Sequence, residues 1–106
     1  MTCTLKGRIV TPAGVVDGSL HVGADRRIAA IEGTHIEAGR AREPGAPLLV
    51  PGFIDLHVHG AGGRDIMEGG DAAASVAQRH AAHGTTALLA TTMTAPMADL
   101  EAAFAG

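Results

Sequence analysis

"PGFIDLHVHG", residues 51–60, reads as a β-strand, and yet it closes on two histidines one residue apart. Side chains on a strand alternate between its two faces. Phe53, Asp55, His57 and His59 therefore share one face, and Ile54, Leu56 and Val58 share the other. The second set is purely aliphatic, as a strand packed under helices requires. The first turns polar towards its C-terminal end. Imidazoles at i and i+2 lean the same way, so their nitrogens can converge on one ion beyond the strand end; hydrogen-bonded core histidines are the alternative reading of the same spacing. Neutral imidazole is a good ligand for zinc and similar divalent cations. Parallel α/β folds bind their ligands at the carboxyl ends of strands, and a glycine-rich run follows His59 at once. Asp55 lies deeper, as an acceptor either for an imidazole N–H that it orients or for backbone groups.

Downstream, "GAGGRDIMEGG" (60–70) holds five glycines in eleven residues and predicts a long mobile loop. A dinucleotide fingerprint fails there, because Gly60 and Gly62 call for a glycine at 65, where Asp65 stands. Arg64 reads as a solvated cation, with a phosphate contact as the sharper alternative. "DAAASVAQRHAAHG" (71–84) predicts a helix with Asp71 as N-cap and Gly84 at its C-terminal end. His80 and His83 fall in that last turn, which points away from the ligand side of a βα unit, so they read as structural. "TTALLATT" (85–92) predicts a second strand. Thr91, Thr92 and Thr94 then either line a site mouth or bond turn backbone. "APMADLEAAFAG" (95–106) predicts a second helix, with Pro96 in its first turn and Met97, Leu100 and Phe104 on one stripe.

Upstream the texture differs. "TLKGRIV" is a strand, "TPAG" a turn, "VVDGSLHV" two strand pieces around an Asp-Gly turn, "GADRR" a turn and "IAAIEG" another short strand. "EAGRAREPGAP" is a polar surface loop before "LLV" resumes the apolar pattern. His21 and His35 read as surface residues. A small β unit over 1–50 thus precedes a β-α-β-α run over 51–106, whose alternation implies a parallel sheet or barrel.

Composition narrows the function classes. The 106 residues carry a net charge of −3 without a block of Lys and Arg, which excludes a nucleic-acid surface. Cys3 is the single cysteine, read as a small buried apolar group in a reducing compartment. No stretch approaches the ~18 apolar residues of a membrane span, and the N-terminus lacks a signal-peptide core. The expectation is a soluble, cytoplasmic protein with no membrane partner.

"PGFIDLHVHG", preceded by a short β-rich segment, resembles the opening of the amidohydrolase superfamily. "GAGGRDIMEGG" and "HGTTALLATTMT" narrow that resemblance to the N-acetylglucosamine-6-phosphate deacetylase family. The resemblance implies an α/β fold: the start of a metal-dependent hydrolase (β/α)8 barrel, preceded by part of a small β-sandwich domain. It implies His57 and His59 as metal ligands. The cofactor would be one or two divalent cations per subunit, zinc first, with iron, manganese or cobalt as alternatives. It further implies a small amino-sugar phosphate substrate and a homodimer. Relatives in which the acetylated sugar is N-acetylgalactosamine 6-phosphate, and other amidohydrolases, share these motifs. The remaining family ligands and the catalytic aspartate lie on later strands, so no catalytic residue is expected among residues 1–106. A closed barrel needs ~200–250 residues, so the sequence is expected to be the N-terminal part of a longer enzyme and inactive alone. A non-catalytic metal-binding domain is the alternative from another class.

Overall fold

In the computed structural model, which describes residues 2–105, the strand expected at 53–59 forms over Phe53–Val58. The chain divides into two compact units, one ending at Pro51 and the other beginning at Gly52.

The first unit is a four-stranded sheet. Strands β1 (Cys3–Thr11), β2 (Gly14–Val22), β3 (Ile28–Ile36) and β4 (Leu48–Leu49) lie in the order β3-β2-β1-β4. The β1–β2 hairpin closes on Pro12 and Ala13, where Thr11 Oγ1 donates to the Gly14 carbonyl at 2.8 Å and accepts from Ala13 N–H at 3.2 Å. β2 runs straight through Asp17-Gly18, which corrects the expected turn there. The glycine serves close approach instead: Gly18 pairs with Gly7 on one side and Gly33 on the other. A Cβ on Gly18 would lie 2.7 Å from Gly33 Cα, inside van der Waals contact. The polar loop before β4 contains a 3-10 turn, Ala38–Arg42. It is held by Arg8, which is only 8% exposed and donates through its guanidinium to the carbonyls of Ala41 and Glu43. The second layer of a sandwich is absent among the described residues. One face of the sheet leaves an apolar groove of about 420 Å³ lined by Leu5, Ile9, Leu20, Ile31 and Leu48. Alternation along short strands is the same in a single sheet and in a sandwich, so sequence could not separate them. Cys3 is exposed rather than buried, because it opens an end strand position of β1.

The second unit pairs β5 (Phe53–Val58) in parallel with β8 (Thr85–Ala90) through the helix α1 (Ala72–Ala81). A second helix, α2 (Met97–Phe104), follows β8. Two parallel strands are present and no barrel is closed among the described residues. The core is Val58, Ile66 and Val76, with Ala61 and Leu88 packed against it. It seats the C-terminal end of β5 against α1. Ile54 and Leu56, on the aliphatic face, remain 68% exposed, as does Met97 of α2. Pro96 stands immediately before α2 rather than inside its first turn.

The expected mobile loop at 60–70 is ordered. β6 (Gly60–Ala61) and β7 (Arg64–Asp65) form a small antiparallel hairpin. Its two-residue loop, Gly62-Gly63, has φ of 61° and 81°, the left-handed pair that suits a tight hairpin and glycine. Asp65 then caps the 3-10 turn Ile66–Glu68 reciprocally: its carboxylate accepts from Met67 N–H, and Glu68 accepts from Asp65 N–H, both at 2.8 Å.

Candidate metal centre

β5 ends where the chemistry begins. Its ladder with β8 pairs Asp55 with Leu88 and next Val58 with Ala90, so β5 carries one extra residue over that span. Such irregularities re-aim side chains beside functional sites. The His57 N–H is satisfied locally, donating to Asp55 Oδ1 at 3.1 Å. Of the two roles open to Asp55, the backbone one is therefore realised. The acceptor behind His59 is the Thr91 carbonyl, 2.9 Å from His59 Nδ1.

The rings converge. His57 Nε2 and His59 Nε2 lie 2.9 Å apart, with ring centroids 4.6 Å apart and planes at 86°. His57 is exposed and His59 half-buried, so the pair opens to solvent. A carbonyl oxygen only accepts, so His59 Nδ1 carries the proton and its Nε2 presents a lone pair towards His57. Without a cation, His57 Nε2–H donates to that lone pair. A bound divalent cation would be held by the two Nε2 lone pairs, with both imidazoles neutral. The donors therefore suit a borderline divalent metal. Among the described residues no third His, Cys, Asp or Glu joins them.

Thr91 does more than the sequence suggested. Its N–H and Oγ1 both donate to the Val58 carbonyl, at 2.8 and 3.0 Å. Of the threonines considered, Thr92 is half-buried and Thr94 exposed, and neither bonds the histidines. His83 is exposed, and His80 is half-buried with its Nε2 unpaired. His35 is exposed, whereas His21 Nδ1 meets Thr4 Oγ1 at 3.0 Å.

Arg64 stays partly solvated, with its side chain 36% exposed, and its guanidinium is engaged by carboxylates. Its guanidinium donates to Glu68 at 2.7 Å and to Asp71 at 2.9 Å, with Ser75 Oγ at 3.4 Å. Asp71 is thereby drawn away from the N-cap role expected of it and makes no side-chain cap bond to α1. This cluster ties the segment after His59 to the start of α1. The Glu68 carboxyl is held below its ordinary range by the Asp65 N–H and then by Arg64, and Asp71 chiefly by its bond to Arg64. Arg64 itself is shifted up, by Asp71 first and Glu68 next. Lowered carboxyl pKa values contribute stability above the unfolded values of ~4.3 and ~3.9, and that contribution fades as pH falls through the folded ones. Amide protection over 60–71, taken relative to the intrinsic exchange rate at each pH, is expected to fall below about pH 4 in the native protein. Arg64→Gln should show the lower protection already at neutral pH. Equal protection in both proteins would refute the tether.

Two curated proteins match the chain. It is 38% identical over 105 residues to "N-acetylgalactosamine-6-phosphate deacetylase" of Escherichia coli O157:H7, covering 97% of this chain and 27% of that protein. It is 47% identical over 58 residues to "N-acetylglucosamine-6-phosphate deacetylase" of Vibrio furnissii, covering 54% of this chain and 14% of that protein. Over these stretches the chain is similar to two amino-sugar phosphate deacetylases. It spans 27% and 14% of the lengths of these deacetylases. No family model matches it, and no solved structure gives a significant match. No helix among the described residues is long and apolar enough to cross a membrane.

Proposed function

We propose that the polypeptide carrying this chain is a metal-dependent hydrolase that removes the acetyl group of N-acetylglucosamine 6-phosphate, giving glucosamine 6-phosphate and acetate. The observation that carries the reading is the convergence of His57 and His59 Nε2 at 2.9 Å, in a chain related to two such deacetylases. The higher identity, over 58 residues, is to the glucosamine enzyme, and the longer match, over 105 residues, is to the galactosamine enzyme. A divalent cation between the rings, zinc or alternatively iron, manganese or cobalt, supplies Lewis acidity to an acetamide carbonyl and to water. His57 and His59 hold it and transfer no proton. Thr91 keeps His59 in the tautomer that binds, and Asp55 fixes the backbone at His57. The acid–base carboxylate and further ligands would come from outside residues 1–106. The enzyme would act in the cytoplasm, as a homodimer.

The absence of a third ligand among the described residues favours one second reading, a domain that captures metal without turnover. Acetate release by the full-length polypeptide from N-acetylglucosamine and N-acetylgalactosamine 6-phosphates separates the two. Faster turnover of the first is expected. Faster turnover of the second would move the assignment to the galactosamine epimer, and release from neither, in metal-loaded protein, would remove the deacetylase reading.

A further inference from the structure

We propose that Thr91 is a positioning residue for His59, acting through its hydroxyl; the proposal rests on the metal reading above. Two consecutive residues at the end of β5 are tied to this one residue after β8. The Val58 carbonyl takes both Thr91 donors, N–H at 2.8 Å and Oγ1 at 3.0 Å, while the Thr91 carbonyl takes His59 Nδ1–H at 2.9 Å. Thr91 Oγ1 also lies 3.4 Å from His59 Nδ1.

The hydroxyl matters because the N–H bond fixes only the peptide plane that precedes the Thr91 Cα. The second donor fixes the Cα–Cβ direction, and with it the frame from which the Thr91 carbonyl, in the next peptide plane, projects towards the imidazole proton. If the carbonyl turns away, His59 loses its bias towards the Nδ1–H tautomer, and the lone pair no longer faces His57. Partners behind a metal-binding histidine act in this way, and their loss typically costs ~10–100-fold in affinity. Threonine combines a β-branched shape suited to a strand end with the required donor. Valine keeps the shape and lacks the donor.

The test uses the full-length polypeptide as wild type, Thr91→Val, Thr91→Ser and the double variant His57→Asn, His59→Asn. Two quantities are read: Co²⁺ affinity by titration, and the His59 tautomer in metal-free protein by long-range ¹H–¹⁵N correlation. Thr91→Val should bind Co²⁺ ~10-fold more weakly and populate both tautomers, and Thr91→Ser should restore both readings. Wild-type behaviour of Thr91→Val in both, or Thr91→Ser as impaired as Thr91→Val, would overturn the proposal. So would a wild-type His59 found as the Nε2–H form, which needs no substitution. If the double variant binds Co²⁺ as tightly as wild type, the metal reading fails instead. The tautomer, measured without metal, still decides the role of Thr91.

Discussion

On the proposed metal-dependent deacetylase reading, replacing His57 and His59 together by Asn is expected to lower both the metal content of the full-length protein and its deacetylation, the latter by on the order of a thousandfold or more. The magnitude follows from the several kcal/mol of transition-state stabilisation that a Lewis-acidic cation supplies. The fold should survive, since His57 is exposed and the core of this unit is Val58, Ile66 and Val76. The two single variants should differ. His57 makes no recorded side-chain bond except to His59, whereas His59 is also anchored on Thr91, so His59→Asn disturbs the end of β8 as well. Metal content by elemental analysis, beside acetate release, checks the expectation. An unchanged metal stoichiometry in the double variant would refute the ligand assignment.

The second large effect lies in the other unit. Gly33→Ala is expected to destabilise the four-stranded sheet by roughly 3 kcal/mol. Gly33 has a φ of 151°, a region L side chains rarely adopt, and its added Cβ would come within 2.8 Å of Gly18 Cα. The obstacle is backbone on the neighbouring strand, which cannot rotate aside as a side chain would. Gly39, where an added Cβ would meet no non-neighbouring atom within 4 Å, is the control: Gly39→Ala should leave the unfolding midpoint nearly unchanged. Urea unfolding of both variants measures the difference. Equal midpoints would show that the Gly7–Gly18–Gly33 row does not set the strand spacing.

That row illustrates how sequence reading failed. Asp17-Gly18 has the composition of a hairpin turn, and only the pairing of Gly18 with Gly7 and Gly33 reveals a strand interior. The glycine-rich run after His59 failed for a related reason. Two of its glycines serve a tight hairpin and the run is fastened by Arg64, whose partners Glu68 and Asp71 are four and seven residues away. The i,i+4 spacing of Arg64 and Glu68 was visible in the sequence, but nothing there said that the guanidinium would also claim Asp71 from the helix it was expected to cap.

What the sequence determined alone was periodicity and local chemistry. It placed a strand, a helix, a second parallel strand and a second helix after residue 51, and its two-residue repeat put His57 and His59 on one side of a strand end, although the ladder irregularity between Asp55 and Val58 was not legible in it. Tertiary structure decided everything that depends on a partner distant in the chain. The proton on His59 is assigned by a carbonyl 32 residues away, and the orphaned N–H of His57 is met by Asp55 at a ladder irregularity that only the neighbouring strand defines. Hydrogen bonds are short and directional, so which donor meets which acceptor is settled only when the strands are brought side by side.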